Sequence, residues 1–349
     1  MSTLSLTRSP RYIRTASLAS ATYFKLELYI FTGVIGDKPG TATYTLNKDI
    51  INSETSVTFE INELVRDYYE VNFNGTYTSS AGQVLWVIAD VTGFTASSVV
   101  PQTGLNFLAF DGYTNFKDNA NFNYIEPALV TASAIQVLDT DYTIIPVNAE
   151  IAETVNFKLN GATVSTHSIT DNGNTNQKIQ YITTTALNVD QVDVVYDSGA
   201  KTQTFTVEVI DECKYLVNKV VFLNKLGALQ NLYFFKKSAE NLEVKRDVFQ
   251  RNLLNEVALI YDVYDHQSKN FNIMGNESIV LNTGYVLEAM NDSFKELLLS
   301  QYVWMLRGAV TYPMNVKDSN IAYKTALNDR LINYTINFSY SFDTINNVH

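Results

Sequence analysis

The chain has 349 residues, with 25 basic and 36 acidic side chains and a formal net charge of −11. A single cysteine, Cys213, excludes an intrachain disulfide, and one Cys with three His excludes a structural zinc site of the Cys/His kind. The acidic balance argues against direct nucleic-acid binding, while 46% hydrophobic residues are enough for large cores.

No run approaches the ~18 consecutive apolar residues of a membrane-spanning helix, so no membrane span is expected. Arg8, Arg11 and Arg14 stand where a secretory signal would have its apolar core, and Pro10 interrupts them. The chain is therefore expected to be made, and to stay until assembly or lysis, in a reducing cytoplasm. The 35 Asn supply turns, and abundant Thr, Tyr, Val and Ile supply strands. The fold class is all-β, in sandwich domains with one or two short helices.

In residues 22–31, Phe24, Leu26, Leu28 and Ile30 alternate with Tyr23, Lys25, Glu27 and Tyr29, the period of a half-buried strand. A turn at Gly33 to Asp37 leads to a returning strand over 41–47, and Val57, Phe59 and Ile61 mark a third. Residues 62–69 are expected to form a short helix with Asn62 as its N-cap. The continuous apolar run 84–91 reads as a central strand, and 105–110 follows it.

Residues 131–212 differ in composition, with 11 acids against three lysines, so most of the negative charge sits there. Seven strand-like runs (134–138, 142–146, 154–159, 162–167, 177–182, 191–196, 203–209) are separated by Asn and Asp turns. That spacing points to an immunoglobulin-like sandwich without the inter-sheet cysteines.

After residue 213 the style of the first part returns. A hairpin is expected around Lys225-Leu226-Gly227, joining strands over 219–224 and 229–235. Further strands are expected over 242–249, 256–265, 278–282, 302–307 and 331–342. Leu287, Met290, Phe294, Leu297 and Leu298 share one face of a helix over 288–299. The two flanks, 1–130 and 213–349, read as one composite β domain carrying 131–212 as an insert, or as two β domains bracketing it.

No catalytic constellation stands out, so the chain is not expected to be an enzyme or to need a cofactor or metal. His167, His266 and His349 stand alone in the sequence. Asp139, Asp141 and the loop from Asp171 lack the spacing of a calcium loop. Trp86 and Trp304 lie in apolar strand runs and read as core. Cys213 reads as a packing residue at a domain border. Arg8, Arg11 and Arg14 are the candidate assembly contacts, in an extended arm suited to gripping an acidic neighbour.

Several stretches carry a family resemblance: KVVFLNKLGALQNLYFF (219–235), LNTGY (281–285) with the helix 294–299 and Ser300, and NDRLINYTINF (328–338) with INNV (345–348). RYIR (11–14) and FEINELVR (59–66) are fainter echoes. In these stretches the chain resembles virion structural proteins of tailed phages, particularly those infecting Bacteroidota. The resemblance covers both flanks and not the acidic insert. It implies a tail, baseplate or neck component of the virion, a homo-oligomeric ring among other virion proteins, with no active site to carry over. The alternatives are a receptor- or glycan-binding virion module using 131–212, and a cell-wall hydrolase.

Overall fold

The computed structural model describes residues 3–51, 54–78, 81–254, 256–318 and 331–345. Strands make up 50% of the protein and helix only 8%, an all-β sandwich architecture. No helix among the described residues is long and apolar enough to cross a membrane. His349 and the motif residues 328–330 and 346–348 lie outside the described residues.

The first part contains β1 (Thr3–Leu6), β2 (Tyr12–Arg14), β3 (Ala21–Phe31), β4 (Tyr44–Asp49) and β5 (Thr58–Glu60). After the short helix α1 (Asn62–Arg66) come β6 (Val84–Thr95), β7 (Val99–Pro101) and β8 (Leu105–Phe110). The main sheet runs β1-β8-β6-β3-β4, with β7 beside β6, and β2 pairs separately with β5. Strand β6 is central, as its unbroken apolar run implies, because both faces of it are covered. Leu85, Val87 and Ala89 pack with Phe24, Leu26 and Leu28 of β3 and with Ile13, Phe59 and Val65. Val84 and Trp86 face the other way, into a second core.

Asn62 does not cap α1. It is the first helical residue, Ile61 occupies the cap position, and no side chain caps the helix. Ile61 is 1% exposed, so burial of its apolar side chain fixes where the helix starts.

The middle part contains β9 (Ala134–Leu138), β10 (Ile144–Asn148), β11 (Ala152–Leu159), β12 (Ala162–Ser168), β13 (Ile179–Thr183), β14 (Gln191–Tyr196) and β15 (Lys201–Ile210). These match the seven expected runs to within a few residues. They form a five-stranded sheet, β12-β11-β14-β15-β9, facing the β10–β13 pair. The first strand runs parallel to the last, β9 beside β15, while the other pairings are antiparallel. This is a β-sandwich. Val155 and Phe157, Val192 and Val194, and Ile145 and Val147 fill its centre.

The last part contains β16 (Asn218–Leu223), β17 (Leu229–Phe234), β18 (Ala239–Gln250), β19 (Ser268–Leu287), the helix α2 (Asn291–Leu299), β20 (Val303–Arg307), β21 (Val310–Val316) and β22 (Leu331–Tyr340). One antiparallel sheet orders them β17-β16-β20-β21-β22-β19-β18. Helix α2 and the turn before it seat Phe294, Leu297 and Met290 on this sheet, against Ile279, Leu281, Ile336 and Phe338. The alternation of β22 is realised, with Ile332, Tyr334, Ile336, Phe338 and Tyr340 all buried.

The expected strand over 256–265 is not one. Residues 256–259 and 263–264 are turns at the far end of the long β18–β19 hairpin, and Asp265 N–H donates to the Asp262 carbonyl at 3.0 Å. The residue pattern suits a strand, but an extended ladder needs a neighbour on which to continue. Strands β1, β2, β7 and β21 and the first half of β19 were not expected. They are short, or carry mixed residues whose pairing is decided by their neighbours.

No strand of the first part pairs with a strand of the last among the described residues. The two meet through side chains, in cores that also include the sandwich, and through one backbone hydrogen bond, from Tyr113 N–H to the Lys225 carbonyl. Gly112 sits at one such contact: a Cβ there would lie 2.5 Å from the Lys225 carbonyl oxygen and 2.7 Å from Leu6. Replacing it should force backbone apart. Gly112→Ala is expected to lower stability by about 1–3 kcal/mol, measured by urea unfolding, whereas Gly40→Ala, at a glycine with open space and no left-handed backbone, should change it little.

Candidate functional site

The N-terminal residues are woven into the chain itself. Strand β1 pairs in parallel with β8, and β2 with β5. The Arg8 guanidinium lies 3.4 Å from Asp111, both side chains nearly buried, and over the Tyr113 ring at 4.9 Å. Arg11 lies over the Phe107 ring at 4.9 Å and donates to the Asn121 carbonyl at 3.4 Å. Arg14 is exposed. The three therefore do not form one free basic grip. Burial pushes the Asp111 carboxyl above its ordinary range, with Arg8 and Arg66 pulling it back, and burial lowers Arg8 and Arg11.

The three parts converge on the β16–β17 turn, 224–228. Asn224 is fully buried. Its Oδ1 accepts from the backbone N–H of Leu226 and of Ala228, each at 3.0 Å, and its Nδ2 donates to the Leu129 carbonyl at 2.6 Å. From the first part, Tyr113 N–H donates to the Lys225 carbonyl at 2.8 Å, and Gln83 Nε2 donates to the Gly227 carbonyl at 3.1 Å. From the sandwich, the Tyr181 hydroxyl accepts from Leu229 N–H and from Gln83 Nε2, both at 2.9 Å. From α2, Glu296 accepts from the Lys225 N–H at 3.1 Å and from the Thr131 hydroxyl. Burial raises the Glu296 carboxyl and pushes the Tyr181 hydroxyl up to about 12. Leu226 and Ala228 close a shared core with Leu6, Trp86, Leu129 and Ile179.

A second tie joins the same three parts. Lys219 Nζ lies 2.6 Å from Asp141 of the sandwich and 5.4 Å from the centre of the Tyr77 ring. The Tyr233 hydroxyl donates to the same carboxylate at 2.8 Å. Burial pushes the Asp141 carboxyl up, but the hydrogen bond and charge of Lys219, with Tyr233 and a backbone N–H, outweigh it, and the group sits below its ordinary range. Asp171 similarly pairs with the buried Lys178. These acids, considered above for calcium, thus bind lysines of their own chain. No group of three metal-ligating side chains occurs among the described residues.

His167 is half-buried in β12, against the Phe157 ring and 3.1 Å from Ser165 Oγ. His266 is exposed. Trp86 and Trp304 are buried, as expected. Cys213 is exposed rather than packed, because the link between β15 and β16 passes over the surface there.

Two surface features remain. The β18–β19 hairpin leaves the sheet as an arm on which nearly every residue of β18 is exposed. It bares Leu242, Phe249, Tyr261, Val263, Tyr264 and Phe271. The sandwich carries an open cavity of about 640 Å³ lined by Ile151, Ile169, Tyr196, Glu126, Glu153 and Lys201, among others. Asn224, Glu296, Lys219 and the arm did not emerge from the sequence. The usable signal for Glu296 was an acid between Phe294 and Leu297 on the apolar helix face. No protein-family model and no curated protein matches the chain.

Two outcomes test the ties. Asn224→Ala leaves two buried N–H groups and one carbonyl without partners, and should cost roughly 3 kcal/mol or more in urea unfolding. The depressed Asp141 carboxyl stabilises the fold above its unfolded value, and that contribution is lost as pH falls through the lower folded value. Asp141→Asn should therefore be less stable than the parent at pH 7, and the gap should close in acid; an equal gap at pH 7 and pH 2.5 would contradict the assignment.

Proposed function

We propose that the chain is a structural subunit of a phage tail, baseplate or neck, assembling with copies of itself into a symmetric ring and with other virion proteins. It works by shape rather than catalysis. One observation carries this reading: an otherwise closed β body leaves a long arm whose large apolar side chains face solvent. Monomers rarely expose contiguous apolar patches beyond roughly 300–600 Å². Tyr is favoured at subunit interfaces, and the arm presents two within its turn region, Tyr261 and Tyr264, at 69% and 80% exposure. The resemblance of both flanks to virion proteins supports the same reading. Of the three arginines expected to contact neighbours, Arg14 is the one available on the surface.

A second reading, a receptor- or glycan-binding module, is favoured by the sandwich cavity, where Tyr196 offers a ring for stacking and several carboxylates offer acceptors. Deleting 131–212 would not test it cleanly, because Ile179 and Ala134 belong to cores shared with the flanks. Tyr196→Ala is the sharper probe: abolished glycan binding by a folded variant would favour this reading.

The experiment for the first reading is quantitative mass spectrometry and cryo-EM of the phage particles that encode the chain. Ring-level copy number and density at the tail or neck are expected. Absence from the particles, or turnover of cell-wall polysaccharide by the purified chain, would overturn it.

A further inference from the structure

Beyond Gly275, whose carbonyl accepts from the Thr344 N–H, β19 pairs with β18 alone among the described residues. From Lys245↔Met274 to Gln250↔Ser268 the arm is a two-stranded ribbon, and the side chains along that stretch are exposed, except for the half-buried Val244 just before it. A two-stranded ribbon is marginal in water alone; a third strand or a packed layer is what stabilises one.

The two faces of this ribbon differ. Residues paired across strands share a face, and neighbours along a strand alternate. Asp247 pairs with Phe271 and Phe249 with Lys269, which puts these four on one face. There the Phe249 and Phe271 rings meet edge to face at 5.6 Å, while 43% and 48% of the two residues stays exposed. The opposite face carries the pairs Val248↔Asn270 and Gln250↔Ser268 and is mostly polar. The phenylalanine face is the one that lacks a layer.

Charge and area point to what supplies it. The whole chain carries −11, so two copies repel over most of their surfaces. Residues 245–274 are the exception, with four Lys or Arg against four Asp or Glu. Arg251 and Asp265 even pair with each other, at 3.5 Å. Nothing on the arm selects a partner of opposite charge, whereas an identical arm, equally neutral and equally apolar, meets it without repulsion. Phe249, Phe271 and Met274, with Tyr261, Val263 and Tyr264 of the tip, expose on the order of 700 Å², close to the roughly 800 Å² that each partner buries in a standard stable interface. Joining edge to edge along β18 fits less well: it leaves both phenylalanines uncovered, and Lys245, Arg246 and Asp247 put charges on that edge.

We infer that the arms of two copies of this chain pack face to face, with Phe249 and Phe271 of one against the same residues of the other. The contact is isologous, so it joins copies in pairs and the assembly holds an even number of them. This inference rests on the assembly reading above and names its contact.

Sedimentation velocity and native mass spectrometry of the full chain at tens of micromolar test it. The parent should be an even-numbered oligomer. F249S/F271S should dissociate at least tenfold more readily, with unchanged thermal unfolding of the body, because both side chains lie on the arm. The geometry is read separately, in a Cys213→Ser chain. Lys269→Cys, on the phenylalanine face, should be linked to its counterpart by a bismaleimide reaching about 10 Å, the spacing of stacked sheets. Asn270→Cys, on the opposite face, should not. A parent that stays monomeric overturns both the contact and the ring. An oligomeric parent that has an odd copy number, that F249S/F271S leaves intact, or that links through Asn270→Cys and not Lys269→Cys, overturns the contact alone and leaves assembly from copies standing.

Discussion

The three parts of this molecule meet on a buried five-residue turn that satisfies only part of its own backbone. The 224–228 turn is buried, and a buried N–H or carbonyl without a partner costs about 1–3 kcal/mol. Asn224 satisfies two of its N–H groups from within. Asn224 N–H and Gly227 N–H also pair within the turn, and the Lys225 N–H and the carbonyls of Lys225 and Gly227 are met from outside, by Glu296 of the helix and by Tyr113 and Gln83 of the first part, while Tyr181 of the sandwich takes the adjoining Leu229 N–H. The turn is thus well formed only when the surrounding parts are in place around it. Gly227, at φ +78 and where a Cβ would lie 3.1 Å from the Asp111 backbone nitrogen, lets the first part approach that closely.

From that constraint follows the character of the whole. The hydrogen bonds are reinforced by two apolar cores in which residues far apart in sequence meet, one around Leu6, Trp86, Leu129 and Leu226 and the other around Phe73, Val221, Leu229 and Trp304. Strand β16 serves both sides: Val220 and Phe222 face the helix-covered core, while Val221 and Leu223 face the first part. A sheet anchored on both faces at one edge is a firm base for what extends from the other. That other edge is β18, the start of the arm. Under the proposed assembly, an arm fixes the spacing between neighbours only if its root does not yield, and the buried turn supplies that firmness.

The sequence disclosed what depends on local pattern. The two-residue period of β3 and β22, the apolar run of β6 and the turn spacing of the sandwich each come from side chains deciding between core and solvent. Helix α2 showed itself through Met290, Phe294 and Leu297. What stayed hidden depends on partners distant in the chain. Nothing near Asn224 announces that its amide reaches Leu129, 95 residues away. The run 256–265 has strand-like residues, yet it becomes a turn region because it has no sheet to extend. Arg8 and Arg11 looked like a free grip, but Tyr113, Asp111 and Phe107 receive them.

Native-state hydrogen exchange read by mass spectrometry tests most directly whether the turn welds the three parts into one body. The account predicts that β6, β14 and β16 open together, with the same free energy, while residues 252–265 exchange at once; in Asn224→Ala the three should fall in concert. If the sandwich amides open at a much lower free energy than those of β6 and β16, and the substitution leaves them unchanged, the parts are independent and the turn is no weld.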